Sequence, residues 1–234
     1  VILTLPIREV LPATPRARIV RIALDGNQLP YRPGQALLVA THGYPRRRPY
    51  SIAGAPEDAA QEGMLELLVG VDADGSAGPH LTLVPGTLVD VEGPVGRFTF
   101  PDNPDEEHVV FIAGGTGIAP LRAMLRHALR TAPPRQIGLL YSARTPDDFA
   151  YERELRALAS AGKIELRQTV TRDVGAEAWT GTRGRIGRAA LAPLVHDPET
   201  LCFICGPPTL VEEMPRLLDE LGIAQDRIRI EEWS

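Results

Sequence analysis

The stretch HVVFIAGGTGIAP, residues 108–120, decides the architecture. Its first half is a continuous β-branched and apolar run, as expected of a strand buried on both faces in a parallel sheet. The segment that follows, LRAMLRHALR, carries Leu121, Met124, Leu125, Ala128 and Leu129 at helical spacing. Between them lies G-x-G, formed by Gly115, Thr116 and Gly117, with Pro120 where a third glycine of G-x-G-x-x-G would fall. Glycines allow a tight turn and a close backbone approach to a pyrophosphate, and the N-terminus of the next helix offers free N–H groups. Proline suits a first helical turn, where its missing N–H costs nothing. A lone glycine motif is weak, but strand, turn and helix in this order are the context that points to a nucleotide. The alternative is an ordinary strand-to-helix turn. A Rossmann domain usually places an acid after its second strand for the ribose hydroxyl. Here YSARTP (141–146) ends that strand with Arg144, so the relationship is one of architecture.

Working outward, the C-terminal half alternates strand and helix. The strands are QIGLLYSA (136–143), KIELRQTV (163–170), TLCFICG (200–206) and RIRIEEW (227–233); the helices are DDFAYERELRALASAG (147–162), RAALAPLV (188–195) and PTLVEEMPRLLDELG (208–222). Such alternation predicts a parallel sheet with helices on both faces. The N-terminal half lacks helical periodicity. Short runs such as ARIVRIAL (17–24), ALLVAT (36–41), MLELLVGV (64–71), TLVDVEG (87–93) and RFTF (97–100), punctuated by Gly and Pro, predict an antiparallel barrel or sandwich. The polar, proline-bearing PDNPDEE (101–107) reads as a linker. The expected organisation is therefore two domains, an antiparallel barrel or sandwich over 1–102 and an α/β domain with a parallel sheet over 103–234.

The bulk properties narrow the function. The chain has 234 residues, room for one or two domains, and a net charge of −5 that argues against a nucleic-acid binder. No apolar run approaches membrane-spanning length and no signal-peptide pattern opens the chain, so a cytoplasmic location is expected. Its two cysteines, Cys202 and Cys205, form C-x-x-C on an apparent buried strand. Positions three apart on a strand face opposite sides, which argues against a dithiol pair or a metal site. Two thiols are also too few to hold an iron–sulfur cluster on four thiolates. No metal is expected.

The second informative stretch is RRRPYSIAG, residues 46–54. A run of like charges usually marks a solvated loop. Yet Arg48, Tyr50 and Ser51 put a phosphate binder, an aromatic face and a hydroxyl within four residues, a set able to grip something flat and phosphorylated. If the segment is extended, Arg48 and Tyr50 point to one side.

RPYSIAG (48–54), GGTGIAP (114–120), CGPP (205–208) and a terminal EEW (231–233) occur in the order seen in the ferredoxin–NADP reductase superfamily, which the whole chain resembles. The resemblance implies an antiparallel Greek-key β-barrel over 1–102 that carries a flavin, FAD rather than FMN, and a nicotinamide nucleotide on the α/β domain over 103–234. Arg48 would hold the flavin pyrophosphate, Tyr50 would stack on the ring system, and Ser51 would hydrogen-bond at its reactive edge, with Pro49 and Ile52 completing the motif. A second phosphate loop falls at DGSAGPHL (74–81). It has Gly78 where the family often has Ser, with Ser76 close by and the N–H groups from Gly75 to Gly78 as substitutes. Cys205, with Gly206 and Pro207, would sit beside the nicotinamide; Glu231 and Trp233 would supply the terminal acid and aromatic. Thr171 and Arg172 resemble the pair that holds the 2′-phosphate in NADPH-using members, and Arg185 is a second candidate. This favours NADPH over NADH as the substrate. Arg46 and Arg47 are expected to stay solvated, or else to dock an acidic carrier.

The implied activity is electron transfer between a nicotinamide nucleotide and a one-electron carrier such as ferredoxin or flavodoxin. Ser51, Cys205 and Glu231 would be the catalytic residues. The alternatives are a reductase component of an oxygenase or hydrogenase-type system, and a flavin-binding regulatory subunit without catalysis.

Overall fold

The computed structural model describes residues 1–102, 107–131, 135–172 and 179–232. It divides into two compact units, Val1–Phe100 with Arg122–His127, and Pro101–Leu121 with Ala128–Ser234.

The first unit is a six-stranded antiparallel barrel in the order β4-β3-β6-β1-β2-β5. Its strands are β1 (Ile2–Thr14), β2 (Ala17–Ala23), β3 (Ala36–Thr41), β4 (Arg48–Ser51), β5 (Met64–Gly70) and β6 (Leu88–Val95), with a helix α1 (Pro56–Glu62) between β4 and β5. An antiparallel bridge from Ile52 to Leu67 joins the β4 end to β5 and closes the barrel. The long strand β1 pairs with β6 over Ile2–Pro6 and with β2 from Ile7 to Thr14. Register shifts beside Ile7 and Pro12 let one strand serve two neighbours, as bulges do at barrel corners. Leu5, Ile7, Val20, Ile22, Leu37, Val39, Ile52, Leu65, Leu67, Val89 and Val91 fill the interior.

The N-terminal strand β1 and the helix α1 have no counterpart among the runs read from the sequence. RFTF is not a strand, and Arg97 in it is exposed. Phe98 and Phe100 both reach the core, while Gly96, at φ +99°, turns the chain off the sheet.

The second unit is a parallel sheet of order β10-β9-β8-β7-β11-β12. Its strands are β7 (His108–Gly114), β8 (Gln136–Ala143), β9 (Glu165–Val170), β10 (Thr182–Arg183), β11 (Leu201–Gly206) and β12 (Ile228–Glu232). The helices that follow its strands are α2 (Ile118–Ala128), of which Arg122–His127 counts with the first unit, α3 (Glu152–Ser160), α4 (Arg188–Leu191) and α5 (Pro208–Asp219). The helix expected from residue 147 begins only at Glu152. Thr145 and Asp148 close a short 3-10 turn, and Tyr151 at φ +60° breaks the path before α3. β7 has β8 on one side and β11 on the other, so successive strands leave it in opposite directions. That reversal is the switch point at whose carboxyl edge open α/β sheets bind ligands. Among the described residues no helix is long and apolar enough to cross a membrane.

Candidate functional site

In the barrel, β4 is an edge strand paired only with β3, with Ser51 opposite Ala36, Tyr50 opposite Leu37 and Arg48 opposite Val39. An edge is where Pro49 is tolerated, because its missing N–H breaks no inner ladder. Arg48 is exposed, and its side chain makes no hydrogen bond or ion pair among the described residues. Tyr50 is half-buried. Its hydroxyl lies 2.6 Å from His80 Nε2, and the two rings are nearly parallel at 9° with centroids 6.0 Å apart. Burial pushes the Tyr50 phenol up and the His80 imidazole down, and the Arg48 charge acts on both groups. Ser51 is 5% exposed, so it can serve only a ligand pressed directly against it. The Ile52 side chain lies wholly in the core, and its N–H is donated to the Gln35 carbonyl at 3.0 Å.

The neighbouring arginines differ. Arg46 is exposed, as expected, but Arg47 is not solvated: it pairs with Glu92 at 3.2 Å and with Asp90 at 3.8 Å. In the loop at 74–81 most of the backbone donors proposed for a phosphate are already used. The N–H of Gly75 goes to the Asp72 carbonyl at 2.9 Å, that of Ser76 to Asp74 Oδ1 at 2.9 Å, and that of Gly78 to Ser76 Oγ at 3.0 Å. Gly75 and Gly78 both sit at positive φ to make this turn.

In the sheet, the ends of β7 and β11 approach closer than side chains permit. A Cβ on Gly114 would lie 2.7 Å from Pro207 Cδ, and one on Gly206 would lie 3.1 Å from the Gly114 Cα. A Cβ on Gly117 would lie 2.3 Å from the Cys205 carbonyl oxygen. Gly115, at φ +55°, faces open space, and it and Thr116 are exposed. Pro120 is buried in the first turn of α2. Tyr141, fully buried on β8, donates its hydroxyl proton to the Gly115 carbonyl at 3.0 Å and accepts the Ala150 N–H at 3.2 Å. In a trans peptide the carbonyl and the following N–H point opposite ways. Holding the Gly115 carbonyl inward therefore turns the Thr116 N–H outward. An open, exposed glycine turn with an outward N–H suits a pyrophosphate.

Cys205 is buried, in register with Ala113 on β7 and Glu231 on β12. Glu231 is half-buried and Glu232, beside Gly206, is exposed. Trp233 lies outside the described residues. Neither Cys202 nor Cys205 is in a disulfide, and burial raises Cys202 to about 12. At the other side of the same edge, the Arg172 N–H donates to the Arg144 carbonyl at 2.8 Å, and the Thr171 N–H to the Ala143 carbonyl at 2.9 Å. Both arginines are exposed and neither side chain is hydrogen-bonded or ion-paired among the described residues. Arg185, by contrast, is held by Glu213 at 3.1 Å.

Sequence reading missed His80 and Tyr141. His80 stood inside the phosphate-loop stretch and Tyr141 inside a strand. A tyrosine in an otherwise aliphatic buried strand was the available signal, since a buried phenol needs a partner.

A barrel presenting an uncommitted guanidinium beside a half-exposed tyrosine, and a sheet with a bare glycine turn at its switch point, define a protein with two nucleotide-binding modules. Residues 5–100 match the oxidoreductase FAD-binding domain and residues 111–215 the oxidoreductase NAD-binding domain. Ferredoxin–NADP reductase B of Sorangium cellulosum is 34% identical over 224 residues, covering 90% of this chain and 88% of that protein. A flavohemoprotein of Bordetella pertussis is 32% identical over 222 residues, covering 88% of this chain but 54% of its own length. A solved ferredoxin reductase in carbazole 1,9a-dioxygenase superposes with a TM-score of 0.83 at 25% identity, covering 100% of this chain and 70% of its own. The chain belongs to the ferredoxin–NADP reductase family of FAD- and NAD(P)-binding oxidoreductases.

Proposed function

We propose that this chain transfers electrons between NADPH and a one-electron carrier of the ferredoxin or flavodoxin kind. Residues 1–102 hold the flavin in this reading and residues 103–234 the nucleotide. FAD, when bound, supplies a ring that takes up a hydride and releases electrons singly. Arg48 forks a flavin phosphate, Tyr50 offers its ring face, and Ser51 offers a hydroxyl. The turn Gly115–Gly117 and the start of α2 receive the nicotinamide nucleotide's pyrophosphate, while Cys205, Gly206 and Pro207 line its other side. Glu231, one strand over from Cys205, is the nearest acid in register.

The observation that carries the coenzyme choice is the pair Arg144 and Arg172, exposed and uncommitted at adjacent strand ends. Two guanidiniums at that edge suit a phosphate better than a bare ribose hydroxyl. A charge-assisted hydrogen bond is worth about 1.5–3 kcal/mol, or roughly tenfold to hundredfold in preference. Arg172→Ala should therefore lower kcat/KM for NADPH by about tenfold or more while leaving NADH nearly unchanged. Equal losses with both would move the 2′-phosphate elsewhere. Anaerobic titration with each nucleotide, followed by a [2Fe–2S] ferredoxin and then a flavodoxin, reads the acceptor. A reductase component of an oxygenase is the second reading, favoured by the likeness to the carbazole dioxygenase reductase. Preferential reduction of an oxygenase's own carrier would establish it.

A further inference from the structure

His80 is a buried titratable group with no part in the reading above. It is 2% exposed. Its Nε2 lies 2.6 Å from the Tyr50 hydroxyl, while its Nδ1 is buried with no hydrogen-bond partner among the described residues. Nδ1 abuts Gly78, where a Cβ would lie 3.6 Å away. The ring of Tyr44 stands edge-on with centroids 6.5 Å apart, and Arg48 is the cation whose charge it feels. Burial and that cation both favour the neutral imidazole.

A neutral imidazole carries one proton, on one nitrogen or the other. Placed on Nδ1, it would make a buried N–H with no acceptor, an arrangement rare in folded proteins. Placed on Nε2, it meets the Tyr50 oxygen, and only a lone pair on Nδ1 goes unmet. The hydrogen bond made by one nitrogen thus fixes the tautomer of the other. The second consequence falls on Tyr50. A phenol oxygen that accepts from His80 keeps its own proton for another acceptor, and the uncommitted Arg48 guanidinium sits on the same strand two residues away.

We propose that His80 is a positioning residue that donates its Nε2–H to the Tyr50 hydroxyl, aiming the phenol's proton at a ligand oxygen beside Arg48. The inference rests on the flavin reading: phenol and guanidinium act as paired donors to the phosphate-bearing chain of the flavin. His80 touches no ligand in this scheme. Its effect passes entirely through the Tyr50 hydroxyl.

Two measurements test it. Long-range 15N–1H NMR on the flavin-free protein should find the His80 proton on Nε2; a proton on Nδ1 would overturn the proposal. FAD affinity, followed by fluorescence quenching, should weaken about tenfold in Tyr50→Phe and in His80→Leu. The double variant should be no weaker than either single one, because both remove the same interaction. His80→Gln keeps an amide donor and should recover affinity to within about threefold of the parent. Additive losses, or a His80→Leu protein that binds FAD like the parent, would refute a route through Tyr50. Should the parent protein itself take up no FAD, the flavin reading fails, while the NMR tautomer still decides the proton assignment. That NMR measurement needs no variant to fold.

Discussion

Gly117→Ala is the sharpest test of the nucleotide turn. A methyl at that position would stand 2.3 Å from the Cys205 oxygen, 2.6 Å from its carbonyl carbon and 2.8 Å from the Gly206 nitrogen, where ordinary contact begins at 3.4 Å. All three atoms are backbone at the end of β11, a strand ladder-paired on both sides to β7 and β12. They cannot rotate away like a side chain, so the turn after β7 must part from the carboxyl end of β11. Overpacking against a side chain costs about 1–3 kcal/mol, and a fixed backbone puts this case at the upper end. Two companions separate sterics from backbone strain. At Gly115 a methyl meets nothing within 4 Å but must adopt φ +55°, a left-handed conformation costing about 1–2 kcal/mol. At Gly187, with open space and φ −123°, alanine should change stability by less than about 0.5 kcal/mol. Urea unfolding followed by circular dichroism should rank the losses Gly117, then Gly115, then Gly187. NADP+ binding by calorimetry should be weakened most by Gly117→Ala. A Gly117→Ala protein as stable as Gly187→Ala, binding NADP+ normally, would show that the turn and the end of β11 do not meet as described.

Tyr141→Phe keeps the ring in place but leaves the Gly115 carbonyl with only the Ile118 N–H and strands the buried Ala150 N–H, for a loss of about 1–3 kcal/mol. NADP+ should bind several-fold more weakly with FAD content unchanged; equal affinity would mean the turn holds its shape without the phenol. Arg122→Ala removes a guanidinium only 7% exposed, whose Nη1 donates to the Ala53 carbonyl and to Glu66 Oε1, each at 2.8 Å. Because Glu66 keeps Arg21 at 2.9 Å, the loss should sit near the low end for a broken buried pair, about 3 kcal/mol in chemical denaturation. A loss under about 1 kcal/mol would mean the pair is solvated rather than buried.

Much of the parallel sheet was legible because its central strands β7, β8 and β11 are apolar on both faces and its helices keep a 3.6-residue rhythm. The barrel was legible in kind but not in detail. β1 escaped because it serves two neighbours and carries charges among its apolar residues, and its burial follows from tertiary pairing rather than from clean alternation. RFTF read as a strand because its phenylalanines alternate with polar residues; Phe98 and Phe100 are indeed buried, yet burial at alternate positions does not require a ladder partner. α1 lies in a stretch without a marked apolar stripe. Its start is set by Asp58 accepting the Ala55 N–H at 2.9 Å and its end by Gly63 at φ +65°.

The site shows the same division more sharply. Arg46, Arg47 and Arg48 are one residue type in one run, and composition cannot tell them apart. What separates them is β6, two strands in from the β4 edge, which supplies Asp90 and Glu92 to Arg47 and nothing to Arg48. Acids on a strand some 40 residues downstream decide which guanidinium is free for a phosphate. Arg144 and Arg172 become neighbours by the same logic. They stand 28 positions apart, and only the parallel register that sets Ala143 beside Val170 brings their backbones together. Charge near a ligand edge is thus a property of strand order, and strand order is the part of this fold that motif spacing does not encode. The glycines differ: Gly114, Gly117 and Gly206 are required by backbones that nearly touch. That requirement selects one residue type alone, which is why the turn could be read first and the arginines only after the sheet was assembled.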